Sequence, residues 1–239
     1  MRYLIWDFDG TLGYRVASWS SLLAEISNRE FPNLNRTASD FRPYLLNGFP
    51  WHQPEQPHQS NRAADAWWDD LNPVFWRAFL AMGLPIDDAR RLAGHVRGQF
   101  VDTQQWRLFD DTIPTLNSLS GQGWQHVVLS NHVPELPKII NALGLSPYVT
   151  AIFNSAATGF EKPHPRAFLG VLETLHGVTD VWMIGDNPSA DIAGAEAVGL
   201  RAVLVRKSAP GVKYHTETLA RLVDMVNAVP VTHELGVRH

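Results

Sequence analysis

Four short apolar runs stand at 3–8, 124–129, 181–184 and 201–205, and three of them stop at residues that carry chemistry. The first runs into Asp9-Gly10, the second ends at Ser130-Asn131, and the third ends at Gly185-Asp186. Runs this short, bounded by turn residues, have the length of a buried strand. Between the later runs lie helical periods at 133–143, 165–176 and 190–198, closing near Gly144, Gly177 and Gly199. Glycine there is a helix stop. Strands alternating with helices at this spacing specify an α/β fold built on a parallel sheet. Such sheets bind their ligands beyond the carboxyl ends of the strands.

The stretch 14–107 follows another pattern. It carries helical periods at 17–26, 63–71, 74–82 and 87–100, and no convincing strand. Its interior holds a polar loop with three prolines, Pro50, Pro54 and Pro57. Six of the nine tryptophans lie in it: Trp19, Trp51, Trp67, Trp68, Trp76 and Trp106. It reads as a helical insertion between the first strand and the rest of the sheet. A last helix is expected over 216–229, followed by a loose tail.

Composition narrows the function classes. The 20 Lys+Arg and 24 Asp+Glu give a net charge of −4, with no clustered basic face for nucleic acid. With 45% hydrophobic residues the chain has enough apolar material to fold. Cysteine is absent, which removes disulfides, thiolate catalysis and zinc-cysteine sites. The first carboxylate, Asp7, comes too early for a signal peptide, and no apolar stretch of about 18 residues offers a membrane span. A cytoplasmic protein with no membrane contact is the expectation. Oligomeric state leaves no trace in the sequence.

Asp7-Phe8-Asp9-Gly10-Thr11 places two carboxylates at the end of a strand. One reading is a turn whose aspartates satisfy backbone amides; the other is a carboxylate nucleophile with a second carboxylate beside it. Ser130-Asn131, Lys162 and Gly185-Asp186 with Asp191 stand at or near later strand ends. Each also has a plain structural reading: Ser130 as a helix cap, Lys162 as a surface lysine, Asp191 as an acid in a helix's first turn. A parallel sheet nevertheless brings its strand ends to one edge, so these groups can converge. Convergence would crowd Asp7, Asp9, Asp186 and Asp191 against the single cation Lys162. Crowded carboxylates raise one another's pKa unless a cation neutralises them. Hard oxygen donors suit Mg²⁺, which binds one or two carboxylates plus phosphate and water.

Together Asp7-Phe8-Asp9-Gly10-Thr11-Leu12, Leu129-Ser130-Asn131, Lys162-Pro163 and Gly185-Asp186-Asn187 through Asp191 resemble the four motifs of the haloacid dehalogenase (HAD) superfamily, in that family's order. The resemblance implies a Rossmann-like core of residues 1–13 and 108–239, with a helical cap domain of residues 14–107. It also implies a Mg²⁺-dependent phosphatase acting on a small phosphorylated metabolite. Asp7 would be the nucleophile that forms an aspartyl-phosphate, and Asp9 the general acid and base. Gly10, Thr11, Ser130, Asn131 and Lys162 would hold the phosphate, Lys162 also neutralising developing charge. Mg²⁺ would be bound by the carboxylates of Asp7 and Asp186 and the backbone carbonyl of Asp9, with Asn187 and Asp191 behind them.

The family's dehalogenases lack the second aspartate, so Asp9 favours phosphatase chemistry over 2-haloacid dehalogenation. A sugar phosphomutase and a non-catalytic binder of phosphorylated ligands are the other readings open at this point. His164 departs from the acidic residue the family often has after Lys-Pro, which puts the cap of the following helix in question. In the insertion, Trp51 and His52 are the candidates for substrate selection; Trp67, Trp68 and Trp76 read as packing.

Overall fold

The apolar runs become strands in the computed structural model, which describes residues 1–228. In chain order the strands are β1 (Arg2–Trp6), β2 (Gly13–Arg15), β3 (Trp106–Leu108), β4 (Trp124–Ser130), β5 (Val149–Asn154), β6 (Asp180–Gly185), β7 (Arg201–Val205) and β8 (His215–Thr216). The helices are α1 (Trp19–Glu30), α2 (Ala38–Phe41), α3 (Ala64–Ala81), α4 (Ile86–Phe100), α5 (Thr112–Gly121), α6 (Leu136–Ala142), α7 (Ser155–Thr158), α8 (Pro165–Leu172), α9 (Gly194–Ala197) and α10 (Leu219–Ala228). A π-helical turn over Pro188–Ala193 leads into α9. The end of the expected last helix and the tail lie outside the described residues.

Two compact units divide the chain. The first takes Met1–Tyr14, Pro54–Ser60 and the chain from Leu108; the second takes Arg15–Gln53 and Asn61–Arg107.

The first unit is a six-stranded sheet in the order β5-β4-β1-β6-β7-β8, parallel throughout. This is the expected α/β, Rossmann-like parallel core. After β1 the chain builds one side of the sheet with β4 and β5, then crosses to the other with β6, β7 and β8. The strand order therefore switches at β1, and a crevice opens at such a point beyond the strand ends. Register fixes where: Trp6 lies opposite both Val128 and Ile184. Both faces of the sheet are buried, which is why the strands read as unbroken apolar runs rather than alternating ones. Tyr3, Ile5, Val127, Leu129, Val181 and Met183 share one face and one core with Phe168 and Val171 of α8. The alternate residues Leu4, Trp6, Val128, Trp182 and Ile184 are as deeply buried and point to the opposite face.

One polar link crosses that second face. Trp6 Nε1 donates to His126 Nδ1 at 3.0 Å, and His126 Nε2 lies 3.1 Å from Ser120 Oγ. Indole nitrogen can only donate, so Nδ1 is the bare nitrogen and the imidazole is neutral.

Pro54–Ser60 packs with the first unit although its neighbours in sequence do not. His58 donates its backbone N–H to Gly159 O at 2.9 Å, and its Nε2 lies 3.1 Å from Glu161 Oε1. Gly159 has φ +84°, and a Cβ there would run into the carbonyl oxygen of His58.

The second unit contains α1 to α4. The indole of Trp19 stacks on Phe100 at 3.7 Å and on Phe75 at 5.6 Å between ring centres. Trp67 and Trp68 are buried in the same unit. The sequence suggests two helices broken near Pro73, but α3 runs through it as one helix of 18 residues. Proline there removes a single hydrogen bond to the carbonyl of Asp69, an exposed residue. Trp67, Trp68 and Leu71 before it and Phe75, Ala78 and Phe79 after it form one buried stripe, and that packing outweighs the break. The stretch 14–107 also begins and ends in strand: β2 and β3 form a two-stranded sheet. Three-residue strands are too short to show a period in sequence.

Candidate active site

Asp7 is the first residue past β1, and its N–H still donates to Ile184 O at 2.8 Å. That bond fixes its backbone to the middle of the sheet. The chain then turns: the N–H groups of Thr11, Leu12 and Gly13 all converge on Phe8 O at 3.0–3.2 Å. Gly10 sits in this turn at φ +89°, and a Cβ there would come within 2.9 Å of the Asp186 carboxyl carbon. Only glycine meets both demands. Asp9 is exposed, at the bridge that pairs it with Gly13.

Three side chains bind the Asp7 carboxylate. Ser130 Oγ donates to Oδ1 at 3.0 Å, Lys162 Nζ donates to the same oxygen at 2.8 Å, and Thr11 Oγ1 donates to Oδ2 at 3.2 Å. Ser130 is the last residue of β4, where it pairs with Asn154. Lys162 also donates to Asp191 Oδ1 at 2.6 Å, and it is 2% exposed. Its backbone is held on both sides by one amide: Lys162 N–H donates to Asn131 Oδ1 at 2.7 Å, and Asn131 Nδ2 donates to Lys162 O at 2.8 Å. Burial pulls the Lys162 ammonium down, but the Asp191 and Asp7 carboxylates overcome it and hold it above its usual range.

Asp191 lies in the π-helical turn, 1% exposed. Burial pushes its carboxyl up against the pull of Lys162. Its Oδ2 accepts from Asn187 N at 2.9 Å, so both its oxygens are engaged. Asn187 caps the turn, its Oδ1 accepting from Ser189 and Ala190 N–H at 3.0 Å each. Asp186 follows β6, and its carboxyl is pushed up first by burial and then by the Asp7 charge. Lys207 Nζ, 3.0 Å from Asp186 Oδ2, works against that rise.

The side chains of Asp7, Asp186 and Asp191 each bring a carboxylate oxygen within 4.8 Å of the others. The donor set is all hard oxygen, with more negative charge than Lys162 alone balances, and it fits a small divalent cation. Both oxygens of Asp191 are engaged, by Lys162 and Asn187, as both of Asp7 are, by Ser130, Lys162 and Thr11; Asp191 is the more deeply buried of the two.

The motifs quoted from the sequence thus lie within one edge of the first unit. The family model of the haloacid dehalogenase-like hydrolases matches residues 1–199. The chain belongs to that family. Among curated relatives, the human haloacid dehalogenase-like hydrolase domain-containing protein 3 is 31% identical over 143 residues, 58% of this chain and 55% of that protein. A phosphoserine phosphatase of Thermus thermophilus is 32% identical over 136 residues, 55% of this chain and 53% of that one. The chain spans about half the length of the curated relatives it matches. The solved HAD-hydrolase YfnB of Bacillus subtilis, bound to magnesium, shares the fold with a TM-score of 0.71 at 23% identity, covering 95% of this chain and 98% of that one.

In this HAD-like hydrolase the His164 question has a direct answer. Its Nδ1 accepts from Arg166 N–H at 3.1 Å and caps α8, so an imidazole does the work of an acid. Trp51 and His52 lie in the second unit, apart in sequence and unit from the motif residues. They line a pocket of about 210 Å³ with Trp19, Phe49, Arg42 and Leu46. Trp51 stacks on Phe49 at 4.7 Å, and His52 Nδ1 is buried with no hydrogen-bond partner. Two residues escaped the sequence reading. Arg206 and Lys207 come directly after β7, Arg206 in the position that Asp7 holds after β1. Their one signal in the sequence is their place just past the fourth apolar run, 201–205.

Proposed function

We propose that this hydrolase is a Mg²⁺-dependent phosphoric monoester hydrolase that acts on a small phosphorylated metabolite through an aspartyl-phosphate. The observation that carries the reading is the contact set of Asp7. A carboxylate held by Ser130, Thr11 and a buried lysine at the edge of a parallel sheet is a positioned nucleophile. The phosphoserine phosphatase relative supports the same class of reaction.

Asp7 attacks phosphorus, and the bond to the leaving oxygen breaks. Asp9, exposed two residues on, gives that oxygen its proton. In the second half Asp9 takes a proton from water, the water oxygen attacks phosphorus, and the Asp7 carboxylate and inorganic phosphate separate. Lys162 and Ser130 carry the negative charge of the phosphoryl oxygens in both halves, without reorganising, because their positions are already set. The carboxylates of Asp7 and Asp186 and the backbone carbonyl of Asp9 would hold Mg²⁺. Bound there, the ion neutralises charge so that an anionic phosphate can approach Asp7. Asn187 and Asp191 keep the lysine and the metal-binding turn in place.

The helical unit, residues 15–53 and 61–107, acts as the cap that selects the leaving group, and Trp51 and His52 are its selecting residues. The substrate class puts the reaction in the cytoplasm, where phosphorylated metabolites are made. No helix among the described residues is long and apolar enough to cross a membrane.

The test is p-nitrophenyl phosphate hydrolysis by purified protein, with Mg²⁺ and with EDTA, followed by a screen of phosphorylated sugars and acids. Metal-dependent release of phosphate is the expected outcome. No release from any phosphate ester in the presence of Mg²⁺ overturns the reading.

A further inference from the structure

Asp186 already carries a cation supplied by the chain itself. Lys207 Nζ lies 3.0 Å from Asp186 Oδ2, while the lysine side chain remains about half exposed. Its position is built rather than accidental. The preceding residue, Arg206, sits at φ +70°, in the left-handed region that L side chains rarely adopt. Arg206 is clamped there from three sides. Its guanidinium donates to both carboxylate oxygens of Asp111 at 2.8 and 2.9 Å and to Thr11 O at 2.9 and 3.2 Å, and it lies 3.9 Å over the ring of Phe109. The clamp joins the end of β7 to the turn that follows Asp7, and it sets the point from which Lys207 leaves the backbone.

Lys162 lies between Asp7 and Asp191 and satisfies both. Asp186, the third carboxylate of the cluster, takes its counter-ion from Lys207. A lysine is a flexible point charge on a four-carbon stem, and this one is about half exposed beside its carboxylate. A divalent cation arriving at Asp186 meets that ammonium first.

We infer that Lys207 is an internal competitor for the metal site: its ammonium occupies Asp186 when no divalent cation is bound and is displaced to solvent when one binds. The inference rests on the reading of Asp186 as a metal ligand. Two consequences follow from linkage. The apparent affinity for Mg²⁺ is lowered by the fraction of molecules in which Lys207 holds Asp186. The metal-free protein also keeps its acidic cluster nearly balanced, so losing the metal costs it less stability.

The experiment is isothermal titration calorimetry of the metal-stripped full-length protein with MgCl₂, comparing wild type, Lys207→Gln and Lys207→Arg. Lys207→Gln should bind Mg²⁺ about two- to fivefold more tightly, the factor that a half-exposed ion pair contributes. Lys207→Arg keeps the charge and should stay close to wild type. Thermal unfolding gives a second readout: the stabilisation produced by a fixed Mg²⁺ concentration should be larger in Lys207→Gln than in wild type. Equal or weaker Mg²⁺ binding by Lys207→Gln overturns this inference while leaving the metal reading standing. Absence of saturable Mg²⁺ binding in wild type overturns both together.

Discussion

Asp7 accepts from three donors, and a neutral amide in its place keeps the shape while losing the attacking electron pair and the ion pair with Lys162. Asp7→Asn should lower the phosphatase rate by at least about a thousandfold, measured with p-nitrophenyl phosphate. Retained turnover would assign the nucleophile elsewhere. Asp9→Asn should cost about 10²–10⁴ in rate. Mg²⁺ affinity, measured by calorimetry, should hardly change, since the metal contact proposed for Asp9 is its backbone carbonyl. Lys162 has a structural role beside the catalytic one proposed for it. Lys162→Met leaves Asp7 and Asp191 facing each other in a buried place, which should destabilise the fold by about 3–5 kcal/mol in urea titrations. Adding Asp191→Asn should restore part of that loss, whereas simple additivity of the two changes would mean they are not coupled. At this scale the sequence is a good guide where a strand end carries an unusual group, as at Asp7, Ser130 and Asp186. It is a poor guide at Lys207, because a lysine after an apolar run looks like any solvated lysine until Arg206 is seen to be clamped.

The elements were legible in proportion to how fully they are buried. β1, β4, β6 and β7 lie inside the sheet, so each shows as a continuous apolar run. β5 is an edge strand with mixed burial, and its Val-Thr-Ala-Ile-Phe-Asn carries no such signal. β8, two residues long, carries none either. Pro73 misleads in the other direction, since local preference argues for a break and the packing of a single stripe removes it. Pro73→Ala returns the missing hydrogen bond to the carbonyl of Asp69. It should raise stability by about 1–2 kcal/mol, part of the helix gain being offset by a freer unfolded chain. Phosphatase activity should be unaltered. A loss of stability in chemical denaturation would mean that the ring itself packs against a neighbour.

For the molecule as a whole, the burial of His126 makes stability depend on acidity. Burial lowers the His126 pKa from 6.5 to about 4 in the folded chain. Between those values the unfolded chain binds more protons than the folded one, so stability rises with pH across the window and is lost as the pH falls through it. The complete shift corresponds to about 3 kcal/mol. Urea titrations from pH 6.5 down to pH 4 should therefore show a steeper loss in wild type than in His126→Gln; parallel curves would remove His126 as the cause. The division of the chain is the other property of this scale. It passes between its two units four times rather than twice, because Pro54–Ser60 returns to the sheet-bearing unit in the middle of the helical stretch. The helical stretch is therefore not an interchangeable part. Transplanting residues 15–107 from a relative would also remove the segment that seats His58 against Gly159 and the buried Glu161. A working chimera has to keep residues 54–60 from the recipient, joined to the donor helices at two further seams.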